Sequence, residues 1–294
     1  MESIYLRWWG CGAFDILLSD VNIAIDPYLF GENLENAEPI YDYIFISHEH
    51  FDHCHPETLR RLCRGERFKK LFVNVGCLTP LEPINESYKG ASFARDLPID
   101  KHIPGDKIQV LYPKYRADDE CIFPGPFEVD LGPVHVEAVE SGENIRPDLP
   151  TCGYLITHVE KDVSIYHMGD LHNVYPALQN LNGRVDFLVH MKLGFKDWSV
   201  LPQFIEYVAP RFWIPTHYRT DRKSGPIPEG HWPPNIDDPA AFIEDLRDYI
   251  GEQTKILPFT AGVQYEVELP SKQVKWRWNW YNTWTTPPWQ EVGD

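Results

Sequence analysis

Between Ile46 and Pro56 the chain reads Ile-Ser-His-Glu-His-Phe-Asp-His-Cys-His-Pro. His48, His50, Asp52 and His53 put three imidazoles and a carboxylate within six positions, directly after the apolar run Tyr43-Ile44-Phe45-Ile46. Imidazole nitrogen and carboxylate oxygen are the donors that first-row divalent metals take. Side chains two apart in an extended segment share a face, so His48 and His50 point the same way. A helical turn after them carries Asp52 and His53 round to a second point. The expectation is two adjacent metal ions, one on His48 and His50, the other on Asp52 and His53. The nearby Cys54 reads as a small buried hydrophobe.

Two metals need more than four ligands, and the further donors belong at strand ends. Asp170 closes Tyr-His-Met-Gly-Asp after the apolar run Val163 to Tyr166, where its two oxygens are placed to bridge two cations. His217 follows Phe212 to Ile214 in Ile-Pro-Thr-His-Tyr and is a candidate to complete the second metal.

The elements that carry these residues show in the periodicity. Strand-like runs recur at Ile4 to Trp9, Ile16 to Leu18, Val21 to Ile25, Tyr43 to Ile46, Leu71 to Val75, Val134 to Val139, Tyr154 to Thr157, Val163 to Tyr166, Phe187 to Val189, Phe212 to Ile214, Ile256 to Leu257 and Gln264 to Leu269. Helix-like stretches lie between them, at Pro56 to Arg64 with proline at its start, Leu201 to Val208 and Pro239 to Ile250. Interleaved strands and helices predict a layered α/β fold, with strands clustered in the two halves of the chain as two sheets packed face to face.

Prolines 80, 83, 98, 104, 113, 124 and 126 break the periodicity of residues 78 to 128, which read as an irregular insertion, a lid over the site or a surface excursion. From Val274 the tail is tryptophan-rich. Trp276, Trp278 and Trp280 alternate and would share one face of a strand, to be covered by the domain body or by another copy. Residues 1 to 294 are expected to form one domain that includes both features.

Composition bounds the partners. With 44 acidic against 27 basic residues the formal net charge is −17, which disfavours a nucleic-acid or anionic-membrane surface. No stretch approaches the ~18 consecutive apolar residues of a membrane span. The N-terminal Met-Glu-Ser-Ile-Tyr-Leu-Arg lacks the basic-then-apolar pattern of a signal peptide. Six cysteines without paired spacing suit reduced thiols, so the expected location is the cytoplasm.

The His-x-His-x-Asp-His cluster, the later Gly169-Asp170 and the Pro215-Thr216-His217 segment resemble the metallo-β-lactamase superfamily. Val21 to Leu29, Tyr166 to His172 and Ile214 to Tyr218 are most similar to its ascorbate-6-phosphate lactonase branch. The resemblance implies a four-layer αββα sandwich with two metals at one edge between the sheets. It also implies that Asp26 orients a ligand histidine from behind, as metal-bound imidazoles require. The family pattern puts a third histidine on the first metal, after a strand midway along. Here Val134 to Val139 is followed by Glu140-Ser141-Gly142-Glu143-Asn144, and no histidine is present. Glu143 stands nearest the expected position and Glu140 competes with it. A glutamate ligand would favour iron or manganese over zinc.

Two activities follow as expectations. In the first, a metal-bridging water attacks an ester, lactone or phosphoester of a small molecule, with Asp52 as ligand and proton acceptor and His172 donating to substrate. Lys192, Arg219 and Arg222 could pair a substrate phosphate, although each is more often a solvated surface charge. In the second, two irons activate dioxygen, as in the superfamily's β-hydroxylase of chloramphenicol biosynthesis, which the chain resembles in its glutamate for histidine. A third reading is a metal-bearing scaffold without activity. The cofactors implied are two divalent ions, manganese, iron or zinc, and the lactonase resemblance and tryptophan tail are compatible with a homo-oligomer.

Overall fold

The computed structural model describes residues 2–29, 35, 37–50, 52–78, 103–117, 123–141, 150–191, 198–216, 247, 249–250, 252–257, 259 and 262–277. The chain opens with β1 (Glu2–Gly10), β2 (Ala13–Leu17), β3 (Asn22–Ile25), β4 (Tyr43–Phe45), β5 (Lys70–Val73) and β6 (Ile108–Val110). A second series follows: β7 (Glu128–Asp130), β8 (Val134–Glu140), β9 (Cys152–His158), β10 (Val163–His167), β11 (Phe187–Met191), β12 (Phe212–Thr216) and β13 (Lys255–Ile256). The last strands, β14 (Gln264–Leu269) and β15 (Gln273–Arg277), return to the first sheet. Among the described residues one sheet runs β15-β14-β1-β2-β3-β4-β5-β6 and the other β13-β12-β11-β10-β9-β8-β7.

Each sheet is antiparallel on one side and parallel on the other. Neighbours from β15 to β3 are antiparallel, and β3 through β6 are parallel. In the second sheet β7 through β10 are antiparallel and β10 through β13 parallel. Alternation assigns the faces. Ile23, Ile25, Phe45 and Phe72 join Val136, Ala138, Tyr154 and Ile156 in the core between the sheets. Their neighbours Ala24, Ile44, Leu71 and Val73 turn outward to pack under Leu59 and Leu62 of helix α1 (Pro56–Leu62). Helix α2 (Leu201–Val208) lays Leu201, Phe204 and Val208 on the core cluster that contains the second sheet. These layers are the αββα sandwich.

The described strands follow the periodicity closely, with three differences, the first being the short strand Glu128–Asp130, which no strand-like run marks. Ile108–Val110, inside the proline-rich stretch 78 to 128, is an edge strand rather than irregular chain. Three half-buried residues are too short to show a period. Gln264–Leu269, a strand of the C-terminal half, pairs with β1 and so completes the N-terminal sheet. Trp276 lies on β15 opposite Tyr265, whereas Trp278, Trp280 and most of the expected helix from Pro239 to Ile250 lie outside the described residues.

Candidate metal centre

Parallel strands gather their C-terminal ends at one edge, where α/β sheets place their ligands. β4 runs out into Ile46, Ser47 and His48, and β10 into Met168, Gly169 and Asp170. The outgoing segment of β4 is held from both sheets. The Ser47 carbonyl accepts the Cys152 N–H at 2.9 Å and the Asn74 amide at 3.1 Å. The Tyr154 hydroxyl donates to the Ile46 carbonyl at 2.7 Å. After His50 the chain turns, with the N–H groups of His53 and Cys54 both donating to the His50 carbonyl, and α1 begins at Pro56.

His48, His50, Asp52, His53 and Asp170 converge in this buried corner, none more than 9% exposed. His48, His53 and Asp170 each offer a donor atom within 4.8 Å of the others. Asp170 stands between the two imidazoles, Oδ2 at 3.4 Å from His48 Nε2 and Oδ1 at 3.3 Å from His53 Nε2. His50 Nδ1 is 2.9 Å from His48 Nε2, and Asp52 Oδ2 is 3.8 Å from His53 Nε2.

Asp26, fully buried at the end of β3, organises the histidines from behind. Its Oδ2 lies 2.7 Å from His53 Nδ1, and Ser47 gives the carboxylate two hydrogen bonds, N–H to Oδ1 at 2.6 Å and hydroxyl to Oδ2 at 2.5 Å. Since the Ser47 proton is committed to Asp26, His48 Nδ1–H must donate to Ser47 Oγ, 2.9 Å away. Both rings therefore carry a proton on Nδ1 and turn Nε2 towards Asp170. An Nε2 atom 3.3 Å from a buried carboxylate oxygen calls for a positive charge between them, a proton or a metal cation in its place. Asp170 Oδ1 is buried and accepts no hydrogen bond among the described residues. This donor set fits a divalent cation.

The charges agree. Burial disfavours a protonated His53, but the charges of Asp170, Asp52 and Asp26 outweigh it and hold its pKa well above that of ordinary imidazole. Burial would raise the Asp170 carboxyl, and His53 and His48 instead hold it well below the usual range. Asp26 is likewise lowered against its burial, chiefly by His53.

Of the other expected residues, Glu143, His217, Lys192, Arg219 and Arg222 lie outside the described residues. Glu140 ends β8, with Oε2 accepting the Ala117 N–H at 2.8 Å and 3.9 Å from Arg116 Nε. His172 is half-buried, its N–H on the Ser141 carbonyl at 3.3 Å. Cys54 is buried. A second grouping of possible donors, Glu128, His135 and Glu137, already has its carboxylates paired to Lys114 and Arg184. Sequence reasoning missed Ser47, the relay between Asp26 and His48. Its only signal is its place between the apolar run and the first histidine.

Residues 5–217 match the model of the beta-lactamase superfamily domain. A UPF0173 metal-dependent hydrolase of Methanopyrus kandleri is 22% identical over 279 residues, covering 89% of this chain and 99% of that protein. Among solved structures, a metallo hydrolase of Ignicoccus hospitalis superimposes with a TM-score of 0.59 at 18% identity, covering 91% of this chain and 99% of the other. CmlA, a diiron beta-hydroxylase of Streptomyces venezuelae, superimposes with a TM-score of 0.56 at 16% identity over 92% of this chain and 55% of that one. With a family model matched across most of its length and a two-sheet sandwich that positions histidines and aspartates at one edge, the chain belongs to the beta-lactamase superfamily.

Proposed function

We propose that this protein is a metal-dependent hydrolase that cleaves an ester, lactone or phosphoester of a small molecule at a dinuclear centre. His48 and His50 would hold one ion and Asp52 and His53 the other, with Asp170 shared between them and Glu143 and His217 completing the set. The carrying observation is the position of Asp170, one oxygen towards His48 and the other towards His53. The matched superfamily and the metal-dependent hydrolase relative support the reading.

Bound ions supply Lewis acidity and a water acid enough to attack near neutral pH. The chain's own groups do the rest. Asp26 and Ser47 hold the Nδ1 sides of His53 and His48, so that both Nε2 atoms are aimed at the centre, where a cation would replace any proton on them. Asp52, 3.8 Å from His53 Nε2, would act as the proton acceptor for the attacking water. His172, half-buried two residues beyond Asp170, would donate to substrate. The hard, carboxylate-rich set favours manganese or iron over zinc.

Metal content of the natively purified protein, measured with hydrolysis of ester, lactone and phosphodiester probes, tests this. About two equivalents of metal with turnover of one probe class supports the reading, and less than about one equivalent refutes it. A second reading, dioxygen activation at two irons, is favoured by Glu143 standing where the family pattern has histidine. Bound iron with near-ultraviolet absorption and no hydrolysis of any probe would select it.

A further inference from the structure

We propose that His167 is a positioning residue for the metal centre, one imidazole that fixes the His53 ring and the Asp170 carboxylate together. His167 ends β10, is 2% exposed, and touches both halves of the centre through backbone atoms. Its Nε2 lies 2.8 Å from the Gly12 carbonyl and its Nδ1 3.3 Å from the Gly169 N–H. A carbonyl only accepts and an amide N–H only donates, so a single neutral tautomer, protonated at Nε2, makes both bonds. Burial supports that form, holding the ring below the ordinary imidazole value although Asp26 and the Gly12 bond pull the other way.

The first bond reaches His53. Gly12 packs directly on that ring: a Cβ built there would stand 2.7 Å from His53 Cε1 and 2.9 Å from Nδ1. The β1–β2 turn is thus the wall against which Asp26 holds the imidazole, and His167 ties this wall to the opposite sheet. The second bond reaches Asp170. Gly169, with φ of +57° in the left-handed region, turns the chain out of β10, and its peptide N–H is the group His167 holds. β9 leaves no slack behind, since a Cβ at Gly153 would lie 2.6 Å from the His167 carbonyl. His53 and Asp170 come from different sheets, and the spacing of Nε2 and Oδ1 between them depends on how the sheets are clamped. His167 is a clamp at that point.

The two arms separate by substitution. Glutamine can put an amide nitrogen near the Nε2 position and keep the Gly12 bond, asparagine can put an oxygen near Nδ1 and keep the Gly169 bond, and leucine keeps neither. In the full chain without metal, ¹⁵N–¹H correlation of the imidazoles is expected to show His167 protonated at Nε2, and His53 ring signals displaced in His167→Leu and His167→Asn but less in His167→Gln. Manganese affinity, from competition titration, is expected to fall about 10- to 100-fold in His167→Leu, with smaller losses in the single-arm variants. An Nδ1–H tautomer at His167, or folded variants with unchanged His53 signals and manganese affinity, would overturn the proposal. Should His167→Leu not fold, the two near-isosteric variants decide. The affinity readout rests on the metal reading above; if wild-type protein binds no metal that reading falls, and the ring signals still decide the role of His167.

Discussion

His53 Nδ1 stands 2.7 Å from Asp26 Oδ2, both side chains fully shielded from solvent, with Ser47 adding two hydrogen bonds to the same carboxylate. Asp26 adopts a left-handed φ of +47°, which Asp and Asn tolerate better than other side chains with a Cβ. Asp26→Asn should therefore keep the backbone while weakening the bond that orients His53. We expect metal affinity to fall about 10- to 100-fold, measured by chelator competition, with the far-ultraviolet spectrum unchanged.

Metal addition should stabilise the fold. A cation that binds only the native state adds about 2.7 kcal/mol at a hundredfold excess over its Kd. Thermal unfolding with and without manganese measures this. The shift should vanish in His48→Ala and in Asp170→Asn, which remove donors facing the same point.

Glu143→Ala should lower occupancy of the first metal position, and Glu143→His should move its preference towards zinc, because imidazole replaces a harder oxygen donor. Metal content of the two variants after identical purification is the check. Unchanged content in Glu143→Ala would remove Glu143 from the ligand set.

Asp15 Oδ2 accepts from Arg7 Nε at 2.9 Å and Nη2 at 2.6 Å, from Trp9 Nε1 at 2.7 Å and from Tyr41 OH at 2.8 Å. Removing the carboxylate strands a buried guanidinium. Asp15→Ala should cost roughly 3–5 kcal/mol in urea unfolding, and the double variant Arg7→Met, Asp15→Leu should recover much of it, since an apolar pair leaves no buried charge.

Glu137 on β8 is held by Lys114 Nζ at 2.6 Å, by Tyr115 OH at 3.0 Å and by Arg184. Burial raises its carboxyl, but the hydrogen bonds and charges of Lys114 and Arg184 outweigh this and leave it below the ordinary glutamate value. Its contribution is therefore complete above the unfolded pKa of about 4.3 and is lost as pH falls through the lower folded value. Both cations are over a third exposed, which discounts the pair. Glu137→Gln should cost about 1–2 kcal/mol at pH 7, and the difference from wild type should shrink towards pH 3, as denaturant titrations at both pH values would show.

Much of this was legible before the fold. Apolar runs such as Ile23 to Ile25 and Phe187 to Val189 are strands because strands covered on both faces leave no polar face. The density of His48 to His53 pointed to a candidate metal site because such donors rarely gather for packing, and the fold brings His48 and His53 together with Asp170. The three-residue strands Ile108–Val110 and Glu128–Asp130 were not legible, since so short a segment has no period and takes its form from its partner.

By itself the sequence determined which donors exist, their order, and the family frame that Asp170 and the His48 cluster share. Tertiary structure alone decided which atoms face one another. That Ser47 passes the hold of Asp26 on to His48, that Gly12 must lack a side chain for the His53 ring to fit, and that His167 clasps both Gly12 and Gly169 are facts about groups up to 155 positions apart. Hydrogen bonds act over about 3 Å in space and carry no signature of separation along the chain, so only the packing of the two sheets could bring these groups within reach.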